Sequence, residues 1–225
     1  MQGRQLQLRS AHGTAEKSQQ VRSLSFEAEK RGVRPRPPRW EAAFGRKAPI
    51  EVDLGCGRGR YVLERARRFP DVNVVALESR RKWVVQVRKR AHNLGLANIR
   101  AIQCDVSRDL EMLFAPSSVR GFTIHHPDPW WKKRHRKRRL VRPEFAARLV
   151  ELLEPGGFIY FQTDVPDMAS EARTIFGSFG ELLQCDAGAF RESVLGGIRS
   201  HREEKCLELG IPVSRLAWTK VLKQP

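Results

Sequence analysis

A single acid, two indoles and a run of cations follow one another within one short stretch of the sequence. Residues 122–139 read FTIHHPDPWWKKRHRKRR, in which Asp128 lies between two prolines and precedes Trp130 and Trp131. Because proline fixes φ and lacks an N–H donor, Asp128 is expected on a stiff loop after a buried strand. Indole rings stack on nucleobases, and a carboxylate accepts hydrogen bonds from a base edge.

The basic run after the tryptophans contains seven permanent cations, one histidine and no acid. Such a cluster attracts phosphate and supplies most of the sequence-independent affinity of a nucleic-acid-binding protein. It predicts a nucleic-acid-binding surface, and a merely solvated basic surface is the alternative. The candidate phosphate contacts are Arg134, His135, Arg136, Lys137, Arg138 and Arg139.

A glycine-rich loop follows the first predicted strand, at 50–54. Gly55, Gly57 and Gly59 precede a predicted helix, and strand, glycine loop and helix begin a nucleotide-binding βαβ unit. The spacing is G-x-G-x-G rather than the dinucleotide G-x-G-x-x-G, and the lysine of a P-loop is absent. Asp53 precedes the loop, a pattern that suits S-adenosylmethionine. A tight strand–helix connection without a ligand is the alternative.

Acids end the next two predicted strands. Glu78 follows Gly59 by 19 residues, the position at which an acid accepts hydrogen bonds from ribose hydroxyls. Asp105 ends the third predicted strand, where it can reach an adenine amino group. The alternative for Asp105 is the N-cap of a helix that begins near Ser107.

Predicted strands alternate with predicted helices, which indicates a parallel sheet with ligands at the carboxyl ends of its strands. Gly55, Glu78, Asp105, Asp128 and Asp164 each follow a predicted strand and are therefore expected along one edge. Residues 200–205 are expected to form a polar link. The predicted strands are 50–54, 72–77, 98–104, 122–124, 158–162, 181–185 and 213–221, and the predicted helices are 61–69, 82–94, 143–153 and 167–179.

Length limits the possible architectures, and net charge indicates the kind of partner. The chain has 225 residues, 40% of them hydrophobic, which suits one α/β domain with an appendage. It carries 42 basic and 25 acidic residues, a net charge of +17, which indicates a polyanionic partner. We expect a flexible basic arm at 1–33 and one domain at 34–225. Within that domain, Trp40 and Phe44 are expected on a short helix.

Cysteine spacing and hydropathy argue against several classes of protein. Cys56, Cys104, Cys185 and Cys206 are far apart, so neither a metal site nor a disulfide framework is indicated. No secretory signal is visible, and no apolar run approaches the ~18 residues of a membrane span. A cytoplasmic protein with free thiols and no membrane partner is expected.

Three separate motifs point to one enzyme family. The first is Pro127-Asp128-Pro129-Trp130 with the basic run behind it, and the second is the pair Thr163-Asp164 after the fifth strand. The third is Ser200-x-x-Glu203, which precedes a Leu-x-Leu-Gly segment. Together they resemble the signature of the tRNA (guanine-N7-)-methyltransferases over about residues 34–222.

The resemblance implies an α/β fold, that of a Rossmann-like class I methyltransferase, with a mostly parallel seven-stranded sheet and helices on both faces. It implies S-adenosyl-L-methionine as the methyl donor and methylation of a guanine at N7 in the variable loop of tRNA. Asp128 is the implied catalytic acid. The implied cofactor side comprises Asp53, Gly55, Gly57, Glu78, Asp105 and Asp128, and the implied substrate contacts are Lys132, Asp164, Ser200 and Glu203.

The sequence departs from the family pattern at four places. His125-His126 stand where Asn-Phe is usual, and Trp131 stands where Pro or His is usual. Cys56 occupies the place of a larger residue, and Ser200 replaces Thr. The two histidines change the polarity expected of the pocket wall.

Two other functions are compatible with the sequence. Asp128-Pro129-Trp130 loosely resembles the motif of methyltransferases that act on exocyclic adenine amines, but it lacks their second proline. A non-catalytic RNA-binding protein on a methyltransferase scaffold is the other, and the intact glycines and acids argue against it. Monomer and homodimer are both compatible with the sequence.

Overall fold

The computed structural model describes residues 37–221, so the arm predicted at 1–33 lies outside the described residues. The strands within this range are β1 (Ile50–Leu54), β2 (Asn73–Glu78), β3 (Ile99–Gln103), β4 (Val119–His125), β5 (Leu153–Thr163), β6 (Leu182–Cys185) and β7 (Ser214–Lys220). The helices are α1 (Trp40–Phe44), α2 (Arg60–Arg68), α3 (Arg81–Asn93), α4 (Val106–Leu113), α5 (Pro143–Leu152), α6 (Pro166–Gly177), α7 (Ala187–Ser193) and α8 (His201–Glu208), with a 3₁₀ helix at Lys133–Arg138.

The strands form one seven-stranded sheet in the order β3-β2-β1-β4-β5-β7-β6. The first five strands pair in parallel, whereas β7 runs antiparallel to both β5 and β6. The strand order changes direction between β1 and β4, and open α/β sheets bind their ligands at such a switch point. The predicted Rossmann-like fold with a mostly parallel sheet is confirmed.

Helices cover both faces of the sheet, because successive residues of each strand point to opposite faces. Val75 and Leu77 of β2 belong to a core cluster that includes side chains of α1, α4, α5 and α6. Val74 and Ala76 belong to a second cluster with α2 and α3. The glycine loop therefore leads into a helix on one face, whereas α6 lies on the other face.

A buried ion pair fixes α2 to β1. Arg65 donates through Nε and Nη2 to the two carboxylate oxygens of Glu51, each at 2.7 Å, and through Nη1 to Val194 O at 2.8 Å. Both side chains of the pair are less than a tenth exposed. The bidentate geometry satisfies both carboxylate oxygens, which offsets the cost of burying two charges. The pair therefore sets the position of α2 relative to the sheet.

Two regions differ from the predicted elements. The fifth strand was predicted at 158–162 but begins at Leu153, the last residue of the predicted helix 143–153, and β5 meets β4 with a register irregularity between Val119 and Gly121. Residues 200–205, which were expected as a polar link, form the start of α8, and Ser200 is its N-cap. The expected short helix with Trp40 and Phe44 is observed as α1. Among the described helices, none has the length and apolar composition that crossing a bilayer requires.

Candidate active site

The residues expected along one edge of the sheet follow the carboxyl ends of adjacent strands. Asp53 of β1 lies beside Ala76 of β2 and Thr123 of β4 in the parallel register. Glu78 is the last residue of β2, and Asp164 follows the last residue of β5. The glycine loop and these acids therefore meet at one edge of the sheet.

The loop between β1 and α2 has a backbone conformation that favours glycine. Gly55, Gly57 and Gly59 have φ values of +88°, +53° and +77°, which side chains with a Cβ rarely adopt. The N–H of Gly57 donates to Glu78 Oε2 at 3.0 Å. A Cβ added at Gly55 or Gly57 would meet no protein atom of the described residues within 4 Å. The loop is thus tied to the end of β2 while space beside it stays open for a ligand.

Glu78 and Asp105 have different local partners. Glu78 is buried, and its Oε1 accepts from Ser79 Oγ at 3.2 Å and from the Arg80 N–H at 2.9 Å. Asp105 is the N-cap of α4, and its Oδ1 accepts from the N–H and the hydroxyl of Ser107 at 3.0 and 2.6 Å. The capping alternative for Asp105 is therefore observed.

Asp53 is buried and bonded within the sheet. Its Oδ1 accepts from Thr123 Oγ1 at 2.6 Å and lies 2.9 Å from His125 Nδ1. The ring of His125 packs on Tyr61 of α2, with 4.2 Å between the ring centroids. One of the two unusual histidines thus joins β1, β4 and α2 next to the glycine loop.

Asp128 lies on a loop whose backbone is strained on both sides. His126 and Trp130, two residues before and after it, have φ values of +48° and +46°. Left-handed non-glycine residues cost on the order of 1–3 kcal/mol each and persist only where the surrounding structure holds them. Asp128 itself is exposed. It lines a hollow of about 330 Å³ together with Pro129, Trp130, Trp131, Lys132 and His135.

The two tryptophans differ in their surroundings. Trp131 is 72% exposed. Trp130 is half-buried, with the guanidinium carbon of Arg138 5.1 Å from its ring centroid and the ring of His135 edge-on at 5.9 Å. Trp131 is therefore exposed to solvent, whereas Arg138 and His135 of the basic run pack against Trp130.

Arg139 turns inward, unlike its neighbours in the basic run. It is 5% exposed, its Nε donates to Pro129 O at 3.0 Å, and its Nη1 lies 2.6 Å from Glu171 Oε2. Glu171 belongs to α6, so this arginine ties the loop that carries Asp128 to a helix. The structure thus places Arg139, expected as a phosphate contact, inside the protein, where it contacts a loop carbonyl and an acid of α6.

The exposed part of the basic run forms a surface that we call the cationic ridge. The 3₁₀ helix carries most of it, and Arg136 lies 3.4 Å from Asp167 at the start of α6. The ridge is therefore attached on the α6 side of the sheet. Its members are the exposed Lys132, Arg134, Arg136, Lys137 and Arg138 and the half-buried His135.

The second unusual histidine, His126, shares the carboxylate of Asp164 with Arg202. His126 Nδ1 lies 2.8 Å from Oδ1, and Arg202 donates to Oδ2 at 2.5 Å. Burial alone would raise the pKa of Asp164, but hydrogen bonds from Arg202 and His126 outweigh it and lower that pKa to about 2. Burial lowers the pKa of His126 although Asp164 opposes this. A neutral imidazole therefore donates its Nδ1–H to an ionised carboxylate.

Cys206 lies close to the same pair. Potential ligand atoms of His126, Asp164 and Cys206 lie within 4.8 Å of one another. The cation of Arg202 on the same carboxylate opposes a divalent ion, and burial raises the pKa of the Cys206 thiol, which a metal would need as a thiolate. The arrangement is better suited to a hydrogen-bonded wall than to a metal centre.

Ser200 and Glu203 are buried at the start of α8. Ser200 Oγ accepts from the Glu203 N–H at 3.1 Å. Glu203 is fully buried, and its Oε1 accepts from Arg191 at 3.0 Å and from Arg215 at 2.6 Å. Both side chains therefore hold the beginning of α8, and with it Arg202, against the sheet.

Sequence reasoning did not identify the contacts of His126, Arg202 and Arg139. For His126, the sequence signal was the replacement of the usual Asn-Phe by His125-His126. The Ser-x-x-Glu spacing of a capping box was the available signal for α8. No local pattern distinguishes Arg139 from the exposed arginines beside it.

Comparison with solved structures agrees with the fold. The 16S rRNA methyltransferase KamB has a TM-score of 0.56 at 17% identity, covering 81% of this chain and 92% of that chain. The aminoglycoside resistance methyltransferase NpmB1 has a TM-score of 0.52 at 21% identity, with the same coverage. Similarity at this level of identity shows the class I methyltransferase fold alone.

Sequence comparison is more specific. Residues 47–216 match a family model described as "Putative methyltransferase". The tRNA (guanine-N(7)-)-methyltransferase of Myxococcus xanthus (strain DK1622) is 38% identical over 179 residues, which are 80% of this chain and 87% of that protein. The chain belongs to the tRNA (guanine-N7-)-methyltransferase family. The family member from Synechococcus sp. (strain JA-3-3Ab) is 37% identical over 180 residues, 80% of this chain and 76% of that protein. The predicted family and enzyme class are confirmed.

The glycine loop of this tRNA (guanine-N7-)-methyltransferase fits S-adenosyl-L-methionine, the cofactor of its class. Open space lies beside Gly55 and Gly57. Glu78 Oε2 accepts from the Gly57 N–H and can accept one further hydrogen bond from a ribose hydroxyl. Burial, with Asp53 and Glu78 nearby, raises the pKa of the Cys56 thiol. The thiol beside the site therefore stays protonated and does not compete as a nucleophile for a methyl group.

Proposed function

We propose that this chain transfers a methyl group from S-adenosyl-L-methionine to N7 of a guanine in the variable loop of tRNA, forming 7-methylguanosine. Family membership supports the reaction. The observation that carries the site is the exposed Asp128, held on a strained loop in a hollow beside the cationic ridge. The hollow has a volume of about 330 Å³ and is open to solvent, so a base on an RNA chain can reach it.

The chemistry needs positioning and charge compensation more than proton transfer. S-adenosyl-L-methionine, when bound, supplies an electrophilic methyl group on a sulfonium. Guanine N7 has a free lone pair and no proton, so no side chain has to act as a base. Asp128 accepts hydrogen bonds from the guanine N1–H and amino group, which orients the base. Its negative charge also stabilises the positive charge that develops on the purine.

The cofactor side of the proposal uses the edge formed by β1, β2 and β3. The backbone of Gly55 and Gly57 leaves room for the cofactor, and Glu78 accepts from its ribose hydroxyls. Asp105, at the carboxyl end of β3, reaches the adenine amino group with Oδ2, which also lies 3.3 Å from Arg108 Nε. Asp53 bonds Thr123 and His125 of β4 and so holds β4 against β1.

The tRNA side of the proposal uses the edge formed by β4 and β5. A variable-loop guanine can be splayed out of its stack, and Trp131 stacks on it. Lys132 and Asp164 contact the substrate, and Ser200 and Glu203 act on it only through the position of α8. The phosphate contacts are Arg134, His135, Arg136, Lys137 and Arg138, with Arg139 positioning the loop instead.

Incubation of the purified chain with unmodified tRNA and methyl-labelled cofactor tests the proposal. Nucleoside analysis of the digested tRNA is expected to place the label in 7-methylguanosine. Label in 6-methyladenosine would instead support the adenine-amine alternative. Calorimetric binding of the cofactor without any labelled nucleoside would support a non-catalytic RNA-binding protein.

A further inference from the structure

A groove on the face of α2 and α3 is not used by the proposed reaction. It has a volume of about 550 Å³ and lies between α2, the end of α3 and the loop before α8. We call it the arginine groove, because Arg60, Arg67, Arg68, Arg90 and Arg199 line it. Leu63 and Ile198, both buried, also line it and give it an apolar component.

The charges of the groove are not balanced. It contains two acids, Glu64 and Glu204, and each of them is paired, with Arg67 and Arg60 respectively. The other three lining arginines have no acidic partner among residues 37–221. These three are Arg68, Arg90 and Arg199. An excess of guanidinium groups with free donors matches phosphate, which they bind in a bidentate manner.

Two of the unpaired guanidinium groups are held in place by backbone carbonyls. Arg68 Nη1 donates to Gly196 O at 2.7 Å, and Arg90 Nη1 donates to Arg58 O at 3.0 Å. A guanidinium has five N–H donors, so each of these arginines retains donors for a ligand. Because part of the rotamer freedom is already lost, less entropy is lost on binding than for a free surface arginine.

The groove lies next to the candidate active site but on the other face of the sheet from the cationic ridge. Arg60 is the first residue of α2, directly after the glycine loop, and Arg199 precedes the N-cap of α8. The ridge contacts α6, which packs on the opposite face. The sheet lies between the helices that carry the two surfaces. One ligand reaches both surfaces only if it is a macromolecule.

We propose that the arginine groove is a second phosphate-binding surface, which binds the tRNA backbone on the face opposite to the cationic ridge. The inference rests on the proposed function, because it takes tRNA as the ligand. The tRNA then spans the edge of the sheet, with the target guanine between two cationic surfaces. This arrangement fixes the direction in which the RNA crosses the active site.

The salt dependence of tRNA binding tests the groove. We would measure the Kd of fluorescently labelled, unmodified tRNA between about 50 and 200 mM salt for the variant Arg68→Gln/Arg90→Gln/Arg199→Gln. Each lost phosphate contact lowers the slope of log K against log salt by about 0.7–0.9. The slope of the triple variant should therefore be smaller than that of the wild type by about 2–3. Raising the salt from about 50 to 200 mM should weaken tRNA binding about 20- to 40-fold less in the variant than in the wild type.

Two further variants keep the test interpretable. Arg199→Gln removes a cation without an acidic partner among the described residues, so folding is preserved, and its slope should fall by about 0.7–0.9. Arg120→Gln is the control, because Arg120 also donates to a loop carbonyl, Gly156 O at 2.8 Å, but lies near the amino ends of the strands. Unlike the substituted groove arginines it has an acid nearby, with Glu154 Oε1 3.9 Å away. Its slope should equal that of the wild type.

The outcomes separate the groove from the proposed function. Wild-type slopes in both Arg199→Gln and the triple variant would overturn the groove, whatever product the enzyme forms. Wild-type protein that binds tRNA but forms no 7-methylguanosine would overturn the proposed function, whatever the slopes. An equal loss of slope in Arg120→Gln would also overturn the groove, because it would show a general effect of net charge.

Discussion

Arg139 is predicted to position the loop that carries Asp128, and Arg139→Met tests this role. The substitution removes the hydrogen bond to Pro129 O and the contact with Glu171. A hydrogen bond from a charged donor contributes about 1.5–3 kcal/mol. The ion pair adds little, because the side chain of Glu171 is 39% exposed and rehydrates when it is released. We therefore expect a loss of about 1.5–3 kcal/mol in the free energy of unfolding.

The effect on turnover should exceed the effect on binding. Without Arg139 the left-handed residues His126 and Trp130 can relax, which shifts Asp128 between them. A misplacement of about 1 Å costs on the order of 100-fold in rate. We expect kcat at saturating tRNA to fall by about that factor, with calorimetric cofactor affinity retained.

The neighbouring Arg138 supplies the contrast. It is exposed on the cationic ridge, so Arg138→Met should lower the salt slope of tRNA binding by about 0.7–0.9. Arg139→Met should leave that slope at the wild-type value, and Arg139→Lys should recover part of kcat. A lowered slope with wild-type kcat in Arg139→Met would refute the reasoning, because it would make Arg139 a phosphate contact.

Three further predictions concern the ion pair, the glycine loop and Asp164. Arg65→Met leaves the buried carboxylate of Glu51 without its partner and should lower the free energy of unfolding by about 3–5 kcal/mol; a urea titration that shows less than about 1 kcal/mol would contradict this. Gly59→Ala places a methyl group against Val87 at a φ of +77° and should weaken cofactor binding in calorimetry, whereas unchanged affinity would show that the loop tolerates the strain. The pKa of Asp164 is lowered from 3.8 to about 2, so its ionised form stabilises the fold by about 2 kcal/mol. That stability is present above about pH 4 and is lost as the pH falls through about 2. The difference in the free energy of unfolding between wild type and Asp164→Asn should therefore decrease as the pH falls from about 4 to about 2. A difference independent of pH would contradict the stabilising role of the ionised carboxylate.

Local patterns predicted much of the fold and of the cofactor side. Alternating apolar residues marked the strands, and the parallel order brought Gly55, Glu78 and Asp164 to one edge because strands joined by helices share a direction. The glycines predicted for the cofactor loop adopt the positive φ values that a tight strand–helix connection favours. These features depend on short stretches of sequence.

Contacts between distant residues were beyond sequence reasoning. Asp53 and His125 are 72 positions apart and meet only through the register of β1 and β4. The inward turn of Arg139 depends on a glutamate of α6 and on a loop carbonyl, neither of which a run of cations indicates. The arginine groove combines α2, α3 and the loop before α8, so its charge excess appears only after folding.

The most direct test of the central claim is the turnover of Asp128→Ala and Asp128→Asn on unmodified tRNA, with cofactor binding measured in parallel. Loss of one preorganised charge-stabilising group costs about 2.7–4 kcal/mol of transition-state stabilisation. Turnover to 7-methylguanosine should therefore fall at least ~100-fold in Asp128→Ala while the cofactor still binds. Near-wild-type turnover in these variants would contradict the claim that Asp128 presents the guanine to the methyl donor.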